Sequence, residues 1–123
     1  MFDLNDLKKC NDILGHIEGD RYLTDSAVLI QKIFGRYEKI YRIEGDEFFI
    51  ITKNTSENKI SALIQQLMQD EAVYIKQSQT VHIQIASGYT RYDAGLDADL
   101  DQAGYRADVL MYENKKQLKA AEN

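Results

Sequence analysis

The stretch that decides the fold is residues 37–52, which read YEKIYRIEGDEFFIIT. Its first part, Tyr37–Ile43, alternates between two sides and is rich in β-branched and aromatic residues, which predicts a strand. A second β-prone run, Glu47–Thr52, follows the break at Glu44-Gly45. Two such runs around a two-residue break that contains glycine predict a β-hairpin.

Amphipathic helices are predicted on both sides of this hairpin. Apolar residues recur at helical spacing over Asp20–Phe34, and Gly35 is a natural stop. Asn54, with Glu57 three residues later, resembles a helix N-terminus, and a last helix is expected over about Leu100–Lys119. The positions expected to face the core are Leu23, Ala27, Ile30, Phe34, Ile60, Leu63, Ile64, Leu67, Met68, Ala103, Ala107, Leu110 and Met111.

A further strand is expected at Val81–Ala86, and Met1-Phe2 looks like the end of another strand that leads into Asp3. Helices that alternate with hairpin-linked strands are typical of an α+β fold. The pattern therefore predicts a central, mostly antiparallel sheet flanked by helices.

Length and composition narrow the class of protein. A chain of 123 residues with 44% hydrophobic residues predicts one compact domain, residues 1–123. One cysteine, no long apolar run and no signal-peptide pattern predict a cytoplasmic domain without membrane contact, although a full-length protein with a membrane anchor stays open. The net charge of −5 argues against nucleic acid as a partner.

Two acidic segments carry the candidate chemistry. Asp3 at a strand end and Asp46 at the hairpin tip offer the oxygen ligands that Mg²⁺ prefers. Backbone N–H groups of Asp6, Leu7 and Lys8, at a short helix start, predict a cradle for phosphate.

Asn and Asp side chains of the next segment can together read the Watson–Crick edge of guanine. A carboxylate accepts from the N1–H and N2–H₂ donors of its Watson–Crick edge, and an amide meets the rest of that edge. Asn11 and Asp20 are the candidates for these contacts.

The order of these motifs resembles the GGDEF domain of diguanylate cyclases. Residues 3–8 (DLNDLK) are similar to the family's D-[IL]-D-x-F-K element, and residues 42–48 (RIEGDEF) to its R-[IL]-G-G-[DE]-E-F signature. The pairs 11–12 (ND), 15–16 (GH) and 19–20 (GD) match at the family's spacing, and 107–115 (ADVLMYENK) resembles A-D-x-A-L-Y-x-A-K. The resemblance runs from Asp3 to about Lys119, and it implies a domain truncated at its N-terminus relative to the family.

The resemblance implies a ferredoxin-like core, as in nucleotidyl cyclases and polymerase palms, and a reaction that condenses two GTP into cyclic di-GMP. It implies Mg²⁺ or Mn²⁺, a homodimer for catalysis, and an upstream sensor or regulatory domain as partner. Asp3, Asp46 and the Leu4 carbonyl would hold the metal, and Glu47 beside it would act as general base or second-metal ligand. The substrate-binding residues it implies are Asn11, Asp20 and His16 for guanine, and Asp6, Leu7, Lys8, Lys115 and Lys119 for the phosphates.

Three departures from the family bear on activity. Glu44 occupies the first glycine of the signature, where we expect strain from a positive φ and added negative charge. Lys119 replaces the usual arginine of the closing element, and the product-inhibition motif R-x-x-D is replaced by Gly35 and Glu38. The alternatives are therefore a degenerate domain that binds GTP and regulates a neighbour, and a non-catalytic interaction domain.

Overall fold

The computed structural model describes residues 1–35, 40–78 and 83–121. Its elements are, in chain order, β1 (Phe2–Leu4), α1 (Leu7–Leu14), α2 (His16–Phe34), β2 (Ile40–Glu44), β3 (Glu47–Ile50), α3 (Glu57–Ser78), β4 (Ile85–Ser87) and α4 (Leu100–Ala121). The four strands form one antiparallel sheet in the order β2-β3-β1-β4. The predicted α+β class is confirmed. The predicted strand positions Tyr37, Lys39 and Val81 lie outside the described residues.

The two faces of the sheet carry different side chains, because successive residues of a strand point to opposite sides. Phe2, Leu4 and Phe48 belong to one buried cluster with side chains of α2 and α3. Asp3, which lies between Phe2 and Leu4 in β1, therefore points to the opposite face. That second face carries α4, which contacts β4 and β1.

Several element boundaries and orientations differ from those predicted. Glu44 belongs to β2 and pairs with Glu47, so Gly45 and Asp46 form the turn and the prediction of a break at Glu44-Gly45 was wrong by one residue. The extended backbone of a strand residue removes the positive φ that we expected at position 44. Ser56, not Asn54, caps α3, since its hydroxyl accepts the N–H of Lys59 at 3.1 Å.

The buried sides of the helices also depart from the prediction. Met68 and Leu110 were expected to face the core but are about half exposed, at 53% and 49%. In α2 the buried positions include Tyr22, Ser26 and Ile33, while Leu23 and Ala27 lie at the margin of the core.

Side chains from two helices cover the outer edge of β4. The Ser87 N–H donates to Asn114 Oδ1 at 2.9 Å, and the Ile85 N–H donates to the carboxylate of Glu71. Burial raises the pKa of Glu71 to about 7. These two acceptors satisfy strand N–H groups that would otherwise be open to pairing with another chain.

The approach of β4 to α4 gives a test of the fold. A Cβ at Gly88 would lie 2.3 Å from the backbone nitrogen of Met111 and 2.4 Å from the carbonyl of Ala107, whereas one at Gly104 meets open space. We expect Gly88→Ala to lower the free energy of unfolding by about 1–3 kcal/mol, since backbone atoms cannot move aside cheaply.

Gly104→Ala is the matched control, and we expect it to raise the same free energy by about 0.5–1 kcal/mol because alanine favours a helix interior. Urea unfolding followed by circular dichroism measures both. Equal stabilities of the two variants would contradict the described packing.

Candidate functional site

The pairing of β1 with β3 brings three carboxylates together near the end of β1. Asp3 lies opposite Glu47 in the β1–β3 ladder, and the Leu4 N–H donates to the carbonyl of Asp46 at 2.8 Å. Asp3, Asp46 and Glu47 each offer an oxygen within 4.8 Å of the others. The structure therefore brings together the two acidic segments that the sequence singled out.

Asp3 is the most unusual of these groups, because its side chain is buried at the centre of the sheet. The residue is 3% exposed. Burial, together with the nearby charge of Asp46, raises the pKa of Asp3, and the ammonium of Lys115 at 3.5 Å acts in the opposite direction. Within the described residues Asp3 Oδ1 is buried and has no hydrogen-bond partner.

This cluster fits a hard divalent cation. Mg²⁺ holds oxygen ligands at about 2.1 Å, so opposite ligands of one ion lie about 4.2 Å apart. Oxygens within 4.8 Å of one another need only a small side-chain adjustment to reach that separation. The buried, unpartnered oxygen of Asp3 is a group that such an ion would satisfy.

The Leu4 carbonyl lies on the same side as these acids. In an antiparallel ladder the N–H and C=O of one residue point to the same neighbouring strand. Since the Leu4 N–H points to Asp46, the Leu4 carbonyl points to the hairpin as well. It is the backbone oxygen that the resemblance implied as a metal ligand.

The turn after β1 is the segment for which the sequence predicted a phosphate cradle. Asp6 has a left-handed backbone, with φ 60° and ψ 27°, and α1 begins at Leu7. The first N–H groups of a helix lack partners within that helix and attract anions. Lys8 is exposed in the first turn of α1.

Two lysines of α4 reach this region and pair with its acids. Lys115 Nζ lies 3.5 Å from Asp3 Oδ2, and Lys119 Nζ lies 3.4 Å from Asp6 Oδ1. Both cations therefore lie against carboxylates of this region, and their contact with phosphate stays a prediction.

The residues proposed for guanine lie on α1 and α2. A Cβ at Gly19 would lie 1.5 Å from Asn11 Oδ1, so Asn11 packs on Gly19, immediately before Asp20. His16 and Asp20 are both exposed and stand four residues apart in α2, on one side of the helix. Asn11 of α1 thus packs on the first turns of α2, which carry His16 and Asp20.

A buried polar group behind the turn escaped the sequence analysis. The Tyr22 hydroxyl lies 2.8 Å from the Asn5 carbonyl, and the Asn5 side chain donates to Gln84 Oε1 at 2.8 Å. The signal in the sequence was Tyr22 itself, because a tyrosine on the buried side of a helix needs a hydrogen-bond partner for its hydroxyl. The spacing of apolar residues predicted that Leu23 faces the core, whereas in the structure its neighbour Tyr22 is the buried residue.

Comparisons with known proteins identify the family of the chain. The family model for the diguanylate cyclase GGDEF domain matches residues 1–121. The chain belongs to the GGDEF family. It is therefore a cyclic di-GMP cyclase-like domain.

Individual GGDEF relatives match almost the whole chain. A diguanylate cyclase of Vibrio cholerae is 30% identical over 114 residues, which are 93% of this chain and 35% of that protein. The solved active GGEEF domain of a diguanylate cyclase from Vibrio cholerae superposes with a TM-score of 0.81 at 28% identity, covering 94% of this chain and 74% of that one.

A third relative is named for a different activity. The cyclic di-GMP phosphodiesterase PdeR of Escherichia coli K12 is 33% identical over 66 residues, which are 54% of this chain and 10% of that protein. This GGDEF chain therefore spans about a third or less of the curated relatives described here. No helix in residues 1–35, 40–78 and 83–121 is long and apolar enough to cross a membrane.

The burial of the Asp3 carboxylate beside Asp46 predicts that this side chain lowers the free energy of unfolding of the protein. We expect Asp3→Asn to raise the free energy of unfolding of the metal-free protein at pH 7, because it removes a buried charge beside Asp46. Folding raises the pKa of Asp3 above its ordinary value. The free energy of unfolding of the parent protein therefore falls as the pH rises through the interval between the ordinary and the raised pKa. The advantage of Asp3→Asn should therefore be largest above that interval and vanish below about pH 4.

Urea unfolding between about pH 3 and pH 8, a range that extends below the ordinary pKa of an aspartate, checks this prediction. Asp12→Asn, which changes an exposed carboxylate of α1, is the matched control. An Asp3→Asn protein that is less stable than its parent at pH 7 would contradict the raised pKa of Asp3.

Proposed function

We propose that this chain, acting as a single domain over residues 1–123, is a diguanylate cyclase that binds GTP with Mg²⁺ or Mn²⁺. Two copies that face each other would condense two GTP molecules into cyclic di-GMP and release pyrophosphate. The observation that carries the proposal is the convergence of Asp3, Asp46 and Glu47 beside the first turn of α1.

The metal would be held by the carboxylates of Asp3 and Asp46 and by the carbonyl of Leu4. A bound divalent ion supplies Lewis-acid stabilisation of the oxygens around the reacting phosphorus. Without it, three acidic side chains would repel a triphosphate, so GTP and metal should bind together.

The nucleotide would lie along α1 and the start of α2. Backbone N–H groups of Asp6 and Leu7 would donate to the phosphates, while cationic side chains would balance the remaining charge. The carboxylate of Asp20 and the amide of Asn11 would read the guanine edge, with His16 next to them. The cations proposed for the phosphates are Lys8, Lys115 and Lys119.

Glu47 is proposed to act at the reacting hydroxyl. In the reaction a 3′-oxygen attacks the α-phosphorus of the other GTP, its proton is transferred to a base, and the bond to pyrophosphate breaks. Glu47 would accept that proton or hold a second metal ion. Each of two copies carries one GTP, and a two-fold arrangement lets both bonds form between them.

A second candidate function is regulation of a neighbouring domain by GTP binding alone. Two observations favour it: Glu44 replaces a glycine of the signature, and the relative PdeR is by name a cyclic di-GMP phosphodiesterase. In either case we propose a cytoplasmic domain and an upstream sensor or regulatory domain as partner. A domain used only for protein contacts is the third outcome of the test.

The deciding experiment joins two copies through a fused coiled coil and supplies GTP with Mg²⁺. We expect cyclic di-GMP, detected by chromatography, and a loss of at least about a hundredfold in Glu47→Gln, the lower range for removal of a general base. Glu113→Gln, which changes a 61%-exposed carboxylate of α4, is the matched control and should keep full activity.

The outcomes separate the candidates. GTP binding without product, in the parent and in Glu44→Gly, would favour regulation and contradict the cyclase. No thermal shift at millimolar GTP with Mg²⁺ or Mn²⁺ would leave only the interaction domain. Product in the parent that survives in Glu47→Gln would contradict the role assigned to that residue.

A further inference from the structure

A tyrosine hydroxyl is buried directly behind the turn that joins β1 to α1. Tyr22 is 1% exposed, and its hydroxyl lies 2.8 Å from the Asn5 carbonyl and 2.9 Å from the Gln84 carbonyl. The same oxygen accepts the Gln84 N–H at 3.0 Å. Burial raises the pKa of Tyr22, so the hydroxyl stays protonated and its single proton is held between two backbone acceptors.

Asn5 is fixed from two further directions. Its backbone N–H donates to the Gln84 carbonyl at 2.9 Å, and its side-chain amide donates to Gln84 Oε1 at 2.8 Å. Asn5 is 2% exposed. Tyr22, Asn5 and Gln84 therefore form a buried polar cluster between α2, the turn and β4.

This cluster sets the direction of an N–H group that faces the site. The Asn5 carbonyl and the Asp6 N–H belong to one planar trans peptide, in which the two groups point in opposite directions. When the Tyr22 hydroxyl holds the carbonyl towards the core, the Asp6 N–H must point away from the core. Asp6 then keeps a left-handed backbone, which residues other than glycine rarely adopt.

The same reasoning applies to the preceding peptide. The Asn5 N–H points to β4, so the Leu4 carbonyl in that peptide points the other way, to the hairpin that carries Asp46. Asn5 thus links a proposed metal ligand on one side to a proposed phosphate donor on the other.

We propose that Tyr22 is a positioning residue for nucleotide binding, which acts through the Asn5 carbonyl to aim the backbone groups of residues 4–6. The inference rests on the proposed function for its ligand, GTP with a divalent ion. Tyr22 lies outside the motifs that assigned the site, and at 1% exposure it does not touch the ligand. Its effect should fall on the triphosphate and not on the guanine.

The test compares Tyr22→Phe with Tyr74→Phe. Both changes remove one hydroxyl, but that of Tyr74 donates to Asp25 and joins α3 to α2. We expect Tyr22→Phe to lower the preference for GTP over GMP, measured with Mg²⁺ by competition, by about tenfold, the effect of one hydrogen bond. The preference for GTP over ATP should stay unchanged, since guanine is read elsewhere.

Loss of stability alone would change all these affinities in the same proportion, so the ratios isolate positioning. The role of Tyr22 is overturned if Tyr22→Phe changes the GTP/GMP ratio no more than Tyr74→Phe does. Both variants are also made in a chain that carries the stabilising change Gly104→Ala. Their affinities are then measured at 10 °C, so that a loss of stability does not prevent the measurement.

A parent chain that binds no GTP would refute the proposed function but not the role of Tyr22 in the turn. Hydrogen exchange of the Asn5 amide then decides: acceleration of about tenfold in Tyr22→Phe, and none in Tyr74→Phe, supports the inference. Equal exchange in parent and Tyr22→Phe overturns it.

Discussion

The structure of the site depends on the pairing of a three-residue strand. β1 lies between β3 and β4, and its register places Asp3 opposite Glu47 on one side and Ala86 on the other. Side chains of a strand alternate, so a shift by one residue would turn Asp3 into the core cluster and Leu4 out of it. The buried side chains of Phe2 and Leu4 oppose that shift, and the apolar core thereby fixes the position of the Asp3 carboxylate.

The site concentrates negative charge that the protein only partly compensates. Lys115 balances Asp3 and Lys119 balances Asp6, yet one oxygen of Asp3 stays buried without a hydrogen-bond partner among the described residues. Such an arrangement favours binding of a cation over stability of the free protein. Under the proposed function, a metal ion would neutralise these carboxylates, and a triphosphate would neutralise the ammonium groups of the same lysines.

Sequence patterns identified the fold class and the acidic segments because both depend on local features. Alternation and helical spacing located the hairpin and α2–α4, and motif order linked Asp3 to Asp46. The exact turn, Gly45-Asp46, was missed because strand pairing, a long-range property, decides where a hairpin strand ends. Tyr22 was missed for a related reason: its acceptors are backbone groups of residues 5 and 84, which only the folded chain brings beside α2.

The position of the turn also limits how Glu44 affects function. Its backbone belongs to β2 and pairs with Glu47, so the conformation does not require glycine there. Gly45, which lies in the turn, has open space where a Cβ would be and a φ outside the left-handed region. Neither position therefore imposes backbone strain on the hairpin. Any effect of Glu44 on nucleotide binding must therefore come from the size or the charge of its side chain, and Glu44→Gln, which keeps the size and removes the charge, separates the two causes.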